Sequence, residues 1–378
     1  MAKTYTAIEL GTHIVKLAVC DGVQVKKIIM ERIPEGLLVD RRITSYDALA
    51  DFLKQTIQAN GGASKDAVVV LSRAFAVTRR VKFPLMTVSE VKLNLPYEFR
   101  DYITEKERFI FDYAVLGQGS DFAPSQPEPA ASGAPSMGGS FGARNNAQAA
   151  ASDASQAGPA ASSDTQDRLA QSLDLLITAV QKETLEDFGE CLHRAGLRMV
   201  SALPTTAALQ NLMFSKGLEN TSDQLSFCVA DFGYATTDLY FFSGGKFDVL
   251  RTIEKGGRDI NQALAEDLGM DEHIADAAKA DDVNTVARSQ RALDVCESIA
   301  VEIGRAVNFY GFNNPNTQLT ALYGSGGEYL TTPLLDAVAG HTDIPLLDIE
   351  TLYPSVDPAF AAAARLCPAA VGATLTVD

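Results

Sequence analysis

Two short stretches combine residue types that can handle a charged ligand. Glu9 to Leu17 reads "ELGTHIVKL" and Asp231 to Leu239 reads "DFGYATTDL". Each runs from an acid through an apolar residue to a glycine, with hydroxyl groups nearby, and then into an apolar strand. Aligning Glu9 with Asp231 places Gly11 on Gly233, Thr12 on Tyr234, Ile14 on Thr236, Lys16 on Asp238 and Leu17 on Leu239, a constant offset of 222 residues. In such a pattern the acid ends a buried strand, and the glycine lets the backbone bend so tightly that successive N–H groups can face an anion. Threonine hydroxyls after the bend add donors. Two such hairpins facing each other across a cleft would grip a polyphosphate from both sides, while the two carboxylates reach waters of a Mg²⁺ ion. Either stretch alone reads equally as a plain β-hairpin with a solvated acid at its strand end; the repeat argues for the first reading. Two further glycine clusters bear on it. In "ALYGSGGEYL" an apolar strand runs into Gly324, Ser325, Gly326 and Gly327, which would let the backbone approach adenine and ribose closely, although a structural strand-to-helix turn looks the same. In "EKGGRDINQAL", Gly256 and Gly257 precede a helix that could flank a nucleoside.

The elements that must position these residues alternate between strand and helix. "VADFGYATTDLYFFSGGKF" reads as two strands around the bend at Gly233, with a hairpin turn at Gly244 and Gly245. "AVVVLS" is a strand, and Thr87 with Glu90 has capping-box spacing for a helix that Pro96 should kink or end early. A helix near Lys182 to Ala195 is stopped by Gly196, followed by the strand "LRMVSAL" and a helix from about Thr205. The second half adds helices near Asp259 to Leu268, Arg288 to Tyr310 and Thr332 to Ala339, and the strand "LTALYGSGG". The pattern is α/β in two halves, and a chain of 378 residues is long enough for two or more domains.

One segment belongs to no core. From Gly117 to about Thr165 the chain is mostly Ala, Ser, Gly, Pro and Gln, with few large aliphatic residues to offset the entropy of ordering it, so a flexible insertion is expected. It interrupts a folded region, because "ERFIFDYAVLG" before it and "LDLLITAV" after it both read as strands of one sheet.

Forty-eight acids against 32 Lys and Arg give a formal charge of −16, with no dense basic run, which argues against binding nucleic acid or lying on an anionic membrane. An anionic ligand would need backbone donors or a metal. The five cysteines are scattered, without the close pairs of a zinc site, and suit a reducing cytoplasm. No apolar run is long enough to span a bilayer, and the first residues lack a signal-peptide pattern.

The order of bend, second bend, "GG" helix and "GSGG" turn resembles the actin and Hsp70 superfamily of ATP-binding proteins, and within it the PilM family of type IV pilus assembly, relatives of the cell-division protein FtsA. "EIGRAVNFYGFN" is similar to the family's long helix, and "RVKFPLMTVSEVKLNLPYEFRDYI" to its small inserted subdomain. The resemblance implies an actin-like, ribonuclease H-like α/β fold with duplicated domains. Residues 1–82 and 186–222 would form the first subdomain, 83–185 a small inserted one containing the linker 117–165, 223–257 and 305–378 the second, and 258–304 its small helical part. It further implies that Gly11, Thr12, His13 and Lys16 contact phosphates of ATP from one side and Gly233, Ala235, Thr236 and Thr237 from the other. Glu9 and Asp231 would hold Mg²⁺ through water, and Gly257, Gly324, Gly326 and Gly327 would frame the nucleoside. Lys16 and His13 read on their own as a solvated strand lysine and a loop residue.

Two departures matter. Glu9 stands where relatives usually carry aspartate, and Pro204, Thr205 and Thr206 stand where a connecting helix commonly begins with an acid. Without a group to position water, binding is expected to exceed turnover, so no catalytic residue is assigned. The implied function is a cytoplasmic ATP-binding scaffold, recruited peripherally to the inner membrane through the cytoplasmic tail of a PilN-like protein, with other pilus components as further partners and self-association left open. The alternatives are an FtsA-like or filament-forming ATPase and a sugar or acetate kinase of the same superfamily. The C-terminal stretch "RLCPAAVGATLTVD" has no basic amphipathic face for a membrane and reads as a buried closing helix.

Overall fold

The computed structural model describes residues 3–22, 24–118, 172–215, 225–281, 284–353 and 356–375. Apart from Gly117 and Gln118, which end a strand, the expected flexible insertion lies outside them.

In the first lobe, β1 (Thr4–Leu10), β2 (Ile14–Asp21) and β3 (Gln24–Arg32) form an antiparallel meander. A two-residue ribbon, β4 (Leu38–Val39) with β5 (Arg42–Ile43), leads to helix α1 (Tyr46–Ala59), capped by Ser45. Strand β6 (Asp66–Leu71) pairs parallel to β1. The chain then leaves for a small three-stranded sheet: β7 (Ala76–Pro84), α2 (Val88–Glu98), β8 (Phe109–Gln118) and β9 (Ser172–Gln181), in the order β7-β9-β8. Thr87 and Glu90 form the expected capping box. The helix runs two residues past Pro96 before Phe99 caps it, so the proline falls in its last turn and the helix ends just beyond it. β8 and β9 pair directly, so the sequences flanking the insertion do belong to one sheet. Helix α3 (Lys182–Arg194), strand β10 (Arg198–Pro204) and helix α4 (Thr205–Ser215) return to the first lobe, whose sheet has the order β10-β6-β1-β2-β3.

The second lobe repeats this plan. Its sheet, β13-β12-β11-β14-β15, is built from β11 (Ser226–Phe232), β12 (Thr237–Ser243), β13 (Lys246–Ile253), β14 (Leu319–Ser325) and β15 (Leu346–Asp348). Adding 222 to the bounds of β1 gives 226–232, the bounds of β11, so the repeat seen around two glycines extends to whole strands. Between β13 and β14 lie α5 (Gly257–Leu268), α6 (Glu272–Asp281) and α7 (Gln290–Asn313). Helix α8 (Thr332–His341) precedes β15, and two short helices, α9 (Ala361–Ala364) and α10 (Pro368–Ala373), end the described chain.

Both large sheets are apolar on both faces, as sheets covered on two sides must be. One core lies between the lobes: Ala7, Ala18, Val68 and Val70 of the first sheet meet Phe227, Val229, Tyr240 and Phe242 of the second, with α4 and α10 packed among them. A second fills the outer face of the first sheet under α1 and α3, a third lies under α5 to α8, and a fourth binds α2 to the small sheet. Residue 83 falls inside β7, which starts at Ala76, and α10 packs on α4 and the first sheet.

Candidate functional site

The two glycine bends are built alike. The Gly11 N–H donates to the Ile14 carbonyl at 3.1 Å, and the Gly233 N–H donates to the Thr236 carbonyl at 3.0 Å. A Cβ at either glycine would lie 2.7 Å from that same carbonyl oxygen, so neither bend closes around a larger residue. Both open onto one cavity of about 380 Å³ between the lobes. Glu9, Gly11, Thr12, His13 and Lys16 line it from the first lobe; Asp231, Gly233, Ala235, Thr236 and Gly327 line it from the second.

The remaining expected residues stand outside the cavity lining. Thr237 is buried and donates its hydroxyl to the Lys255 carbonyl at 3.1 Å, tying β12 to the turn before α5. Gly324 is covered by the Tyr329 ring, Gly257 by the Glu328 carboxylate, and Gly326 by Asp231 and Phe232. These glycines are needed where the chain approaches itself.

At the floor of the cleft Lys16 Nζ donates to Glu9 Oε1 at 2.8 Å, as the pairing of residue 9 with residue 16 across the β1–β2 hairpin requires. The other Glu9 oxygen accepts from the Ala370 N–H at 3.3 Å. Lys16 is therefore a buried cation, not a solvated strand lysine: burial opposes its charge, but Glu9 and Asp231 outweigh it and hold the ammonium well above the usual lysine range. Asp231 has the opposite balance. Burial pushes its carboxyl up to about 6, helped by Glu9 and Asp238 and resisted by Lys16, and its Oδ1 has no hydrogen-bond partner.

Several residues at the mouth were not singled out in the sequence. The His13 ring stacks on Tyr234, with centroids 4.1 Å apart, and its Nε2 lies 3.2 Å from Asp276 Oδ2. Asp276 also pairs with Arg32 and accepts from Asn261 at 2.8 Å. Lys279, one helical turn on from Asp276, donates to both oxygens of Glu328 at 2.8 Å, and the Thr331 hydroxyl donates to the same carboxylate at 2.9 Å. Arg73 joins the lobes through Glu254 at 2.7 Å and Asp238 at 3.7 Å. The available signal was the i, i+3 spacing of Asp276 and Lys279 on α6.

Burial, then Arg32 and Lys279, push His13 down to about 4. The unfolded ring takes up a proton near pH 6.5 and the folded ring does not until about pH 4, so this group's contribution is full above 6.5 and is lost as pH falls toward 4. The loss amounts to about 3 kcal/mol at most. Asp231 acts in the other sense, because a carboxyl with a raised pKa favours the fold as pH falls through 6. Urea unfolding of the wild type and His13→Gln at pH 7.5, 5.5 and 4.5 isolates the imidazole: the variant should lack its share of the acid loss, and parallel curves would refute the assignment.

A family model described as type IV pilus assembly protein PilM matches residues 163–354, just over half of the chain. Among solved structures, the chain is similar to the PilM–PilN type IV pilus biogenesis complex, at 18% identity and TM-score 0.70, over 98% of this chain and 97% of that one. It is also similar to the ethanolamine utilization protein EutJ from Carboxydothermus hydrogenoformans, at 14% identity and TM-score 0.54, over 99% of this chain and 90% of that one. No curated protein sequence matches. The duplicated sheets, the paired bends and the small inserted sheet thus form an actin-like α/β fold, and the chain belongs to the PilM family of type IV pilus assembly proteins.

Proposed function

We propose that the cleft binds ATP and that the nucleotide sets the posture of a scaffold holding the cytoplasmic tail of a PilN-like inner-membrane protein. The observation that carries the nucleotide reading is the pair of bends, closed by the same glycine-to-carbonyl bond and opening onto one cavity. The Gly11 and Gly233 N–H groups close the bends, so the backbone N–H groups of Thr12 and His13 and of Tyr234 to Thr236 would receive the phosphates, with Lys16 below them supplying a fixed positive charge. Thr237, Gly257, Gly324 and Gly326 would act at one remove, shaping the bends and the strand end that carry these donors.

Of the two carboxylates assigned to Mg²⁺, Asp231 fits: its buried, unpartnered Oδ1 marks it as a group with unmet demand for a donor. Glu9 has both oxygens engaged, so its part would be to hold Lys16 charged. Among the described residues no group of three or more His, Cys, Asp or Glu side chains gathers to hold a metal directly, so the ion would arrive on the nucleotide and neutralise phosphate charge there. Helix α4 opens with Thr205 and Thr206, and no carboxylate in its first turn faces the cleft to orient water, which supports slow hydrolysis or none.

The partner reading rests on the PilM–PilN match. A second cavity of about 430 Å³ lies where Leu71 and Pro204 to Thr206 of the first lobe meet Ala76 to Arg80 of the small sheet and Phe247 to Leu250 of the second lobe. An extended tail would fit there, with the buried Thr206 hydroxyl, which has no partner, as an available donor. Among the described residues no helix is long and apolar enough to cross a membrane, and recruitment to one would be through this partner.

Calorimetric titration of Mg-ATP tests the cleft. Wild type should bind, and Asp231→Ala should bind at least about tenfold more weakly while keeping its thermal stability, because the carboxylate it removes has an unmet oxygen. Equal binding by both, or by neither, would sink the assignment. Sedimentation with and without Mg-ATP should leave the protein in the supernatant; pelleting would favour a filament.

A further inference from the structure

The cleft and the second cavity share a wall. Arg73, Thr205 and Tyr240 line both. A bond runs through the same wall: Thr252, which lines the second cavity, donates its hydroxyl at 2.5 Å to Asp238, which lines the cleft. Arg73 lies on the connection 72–75, between β6 of the first lobe and β7 of the small sheet. Its guanidinium is lightly used. Nη2 donates to Glu254 at 2.7 Å, and Nε lies 3.7 Å from Asp238, beyond hydrogen-bond range, so most of its N–H groups have no partner among the described residues. Its departure strands neither carboxylate, because Glu254 is 63% exposed and keeps Arg41, and Asp238 keeps Thr252. Other cations of the cleft are committed: Lys16 to Glu9, Arg32 to Asp276 and Lys279 to Glu328. Asp238 stands directly opposite Asp231 on the β11–β12 pair, and residues so paired project from one face of a sheet. The guanidinium therefore sits beside the carboxylate that fits the magnesium end of a nucleotide.

We propose that Arg73 is a movable arm that closes on the terminal phosphate of a bound triphosphate and, in leaving Glu254, withdraws from the wall of the second cavity, so that this groove gains room for the tail in the triphosphate state. The inference rests on the nucleotide reading of the cleft and the tail reading of the groove. A guanidinium presents paired N–H groups that match two phosphate oxygens. The move exchanges one bond to a solvated carboxylate for a charge-assisted pair inside the cleft. A diphosphate ends short of the arm and leaves it on Glu254. The groove thus responds to the length of the phosphate chain, and by linkage the tail tightens the triphosphate by the same factor.

Two measurements on the full chain provide the test: calorimetry with Mg-ATP and Mg-ADP, and fluorescence anisotropy of a labelled peptide of the PilN-like protein's cytoplasmic tail with either nucleotide at saturation. Wild type should bind ATP at least about tenfold more tightly than ADP, and the peptide at least about fivefold more tightly in the ATP state. Arg73→Ala should bring both ratios to within about twofold of unity while its ADP affinity holds, whereas an arginine with a merely structural role would shift both nucleotides together. Arg73→Lys should keep part of each preference, since a point charge reaches the phosphate without the paired bonds. Thermal unfolding checks that the variants fold, and Arg73→Gln serves the same comparison if alanine does not. Wild-type ratios near unity, tighter peptide binding in the ADP state, or an alanine variant that keeps either ratio overturns the arm and leaves the cleft standing. Failure of wild type to bind either nucleotide overturns the cleft reading as well, and a peptide that binds in neither state overturns the groove reading and the arm's effect on it.

Discussion

Gly326→Ala should lower the stability of the second lobe by roughly 3–5 kcal/mol and its unfolding midpoint by about 10 °C, whereas Gly327→Ala should change stability by no more than about 0.5 kcal/mol. The two residues are adjacent and chemically identical, so the contrast isolates geometry. Gly326 sits at φ 93° and ψ 173°, a region in practice reserved for glycine. A Cβ there would lie 2.3 Å from Asp231 Oδ1 and under 3 Å from the backbone oxygen and nitrogen of Phe232, so the strand end bearing Asp231 would have to move. Strain and overlap each cost about 1–3 kcal/mol, and they add because relieving one leaves the other. At Gly327 the backbone is ordinary and the space is open. Calorimetric melting of both variants decides the matter: midpoints within about 2 °C of each other would show that the turn is soft.

Arg80→Ala should cost about 3 kcal/mol, measured by urea unfolding, because it takes two bonds from a buried carboxylate and leaves it facing Lys246 at 4.0 Å. Arg80 on β7 grips Asp174 on β9 with two bonds, of 2.7 and 2.5 Å, and reaches Asp248 on β13 at 3.3 Å. Tyr310 on α7 completes the chain by donating to Asp248 at 2.8 Å. Burial works against the guanidinium charge, but Asp174 and Asp248 prevail and hold it above its ordinary value. With Lys246 on β13, 4.0 Å from Asp174, the cluster ties the small sheet to the second lobe. Its loss should also raise hydrogen exchange across β7 to β9, and Arg80→Lys should be intermediate, since a lysine cannot supply the paired bonds. Unaltered exchange in β7 to β9 would mean that apolar packing alone seats the small sheet.

The bends and the strands around them were legible because each rests on local facts: a glycine where a carbonyl turns back, apolar strands on either side, and an offset that survives over whole elements. The closing helix was legible too, as a run of small apolar residues after Pro368. The ion pairs lining the cleft were not. Lys279 and Glu328 are 49 residues apart, and nothing in either neighbourhood announces that α6 will carry its lysine over the strand-to-helix turn. The glycines of that turn looked like room for a ligand, but glycine signals close approach without saying of what. Arg80 and Asp174 belong to strands separated in sequence by the Ala/Ser/Gly-rich stretch, so their pairing depended on knowing that the sheet closes across it. Glu9 with Lys16 could have been found, because a hairpin bent at Gly11 sets those two residues opposite each other.

The last helix has a consequence for how the protein is made. Cys367, Ala369, Ala370, Val371 and Ala373 complete a core begun by Tyr5 and Ala7, and the Ala370 N–H reaches Glu9. A ribosome adding roughly 5–20 residues per second needs about 20–70 s to travel from one set to the other. Throughout that interval the core shared by the first sheet, α4 and the second sheet lacks the side chains of α10, and Glu9 lacks the Ala370 N–H. The first sheet can therefore complete its core only after α10 has been synthesised.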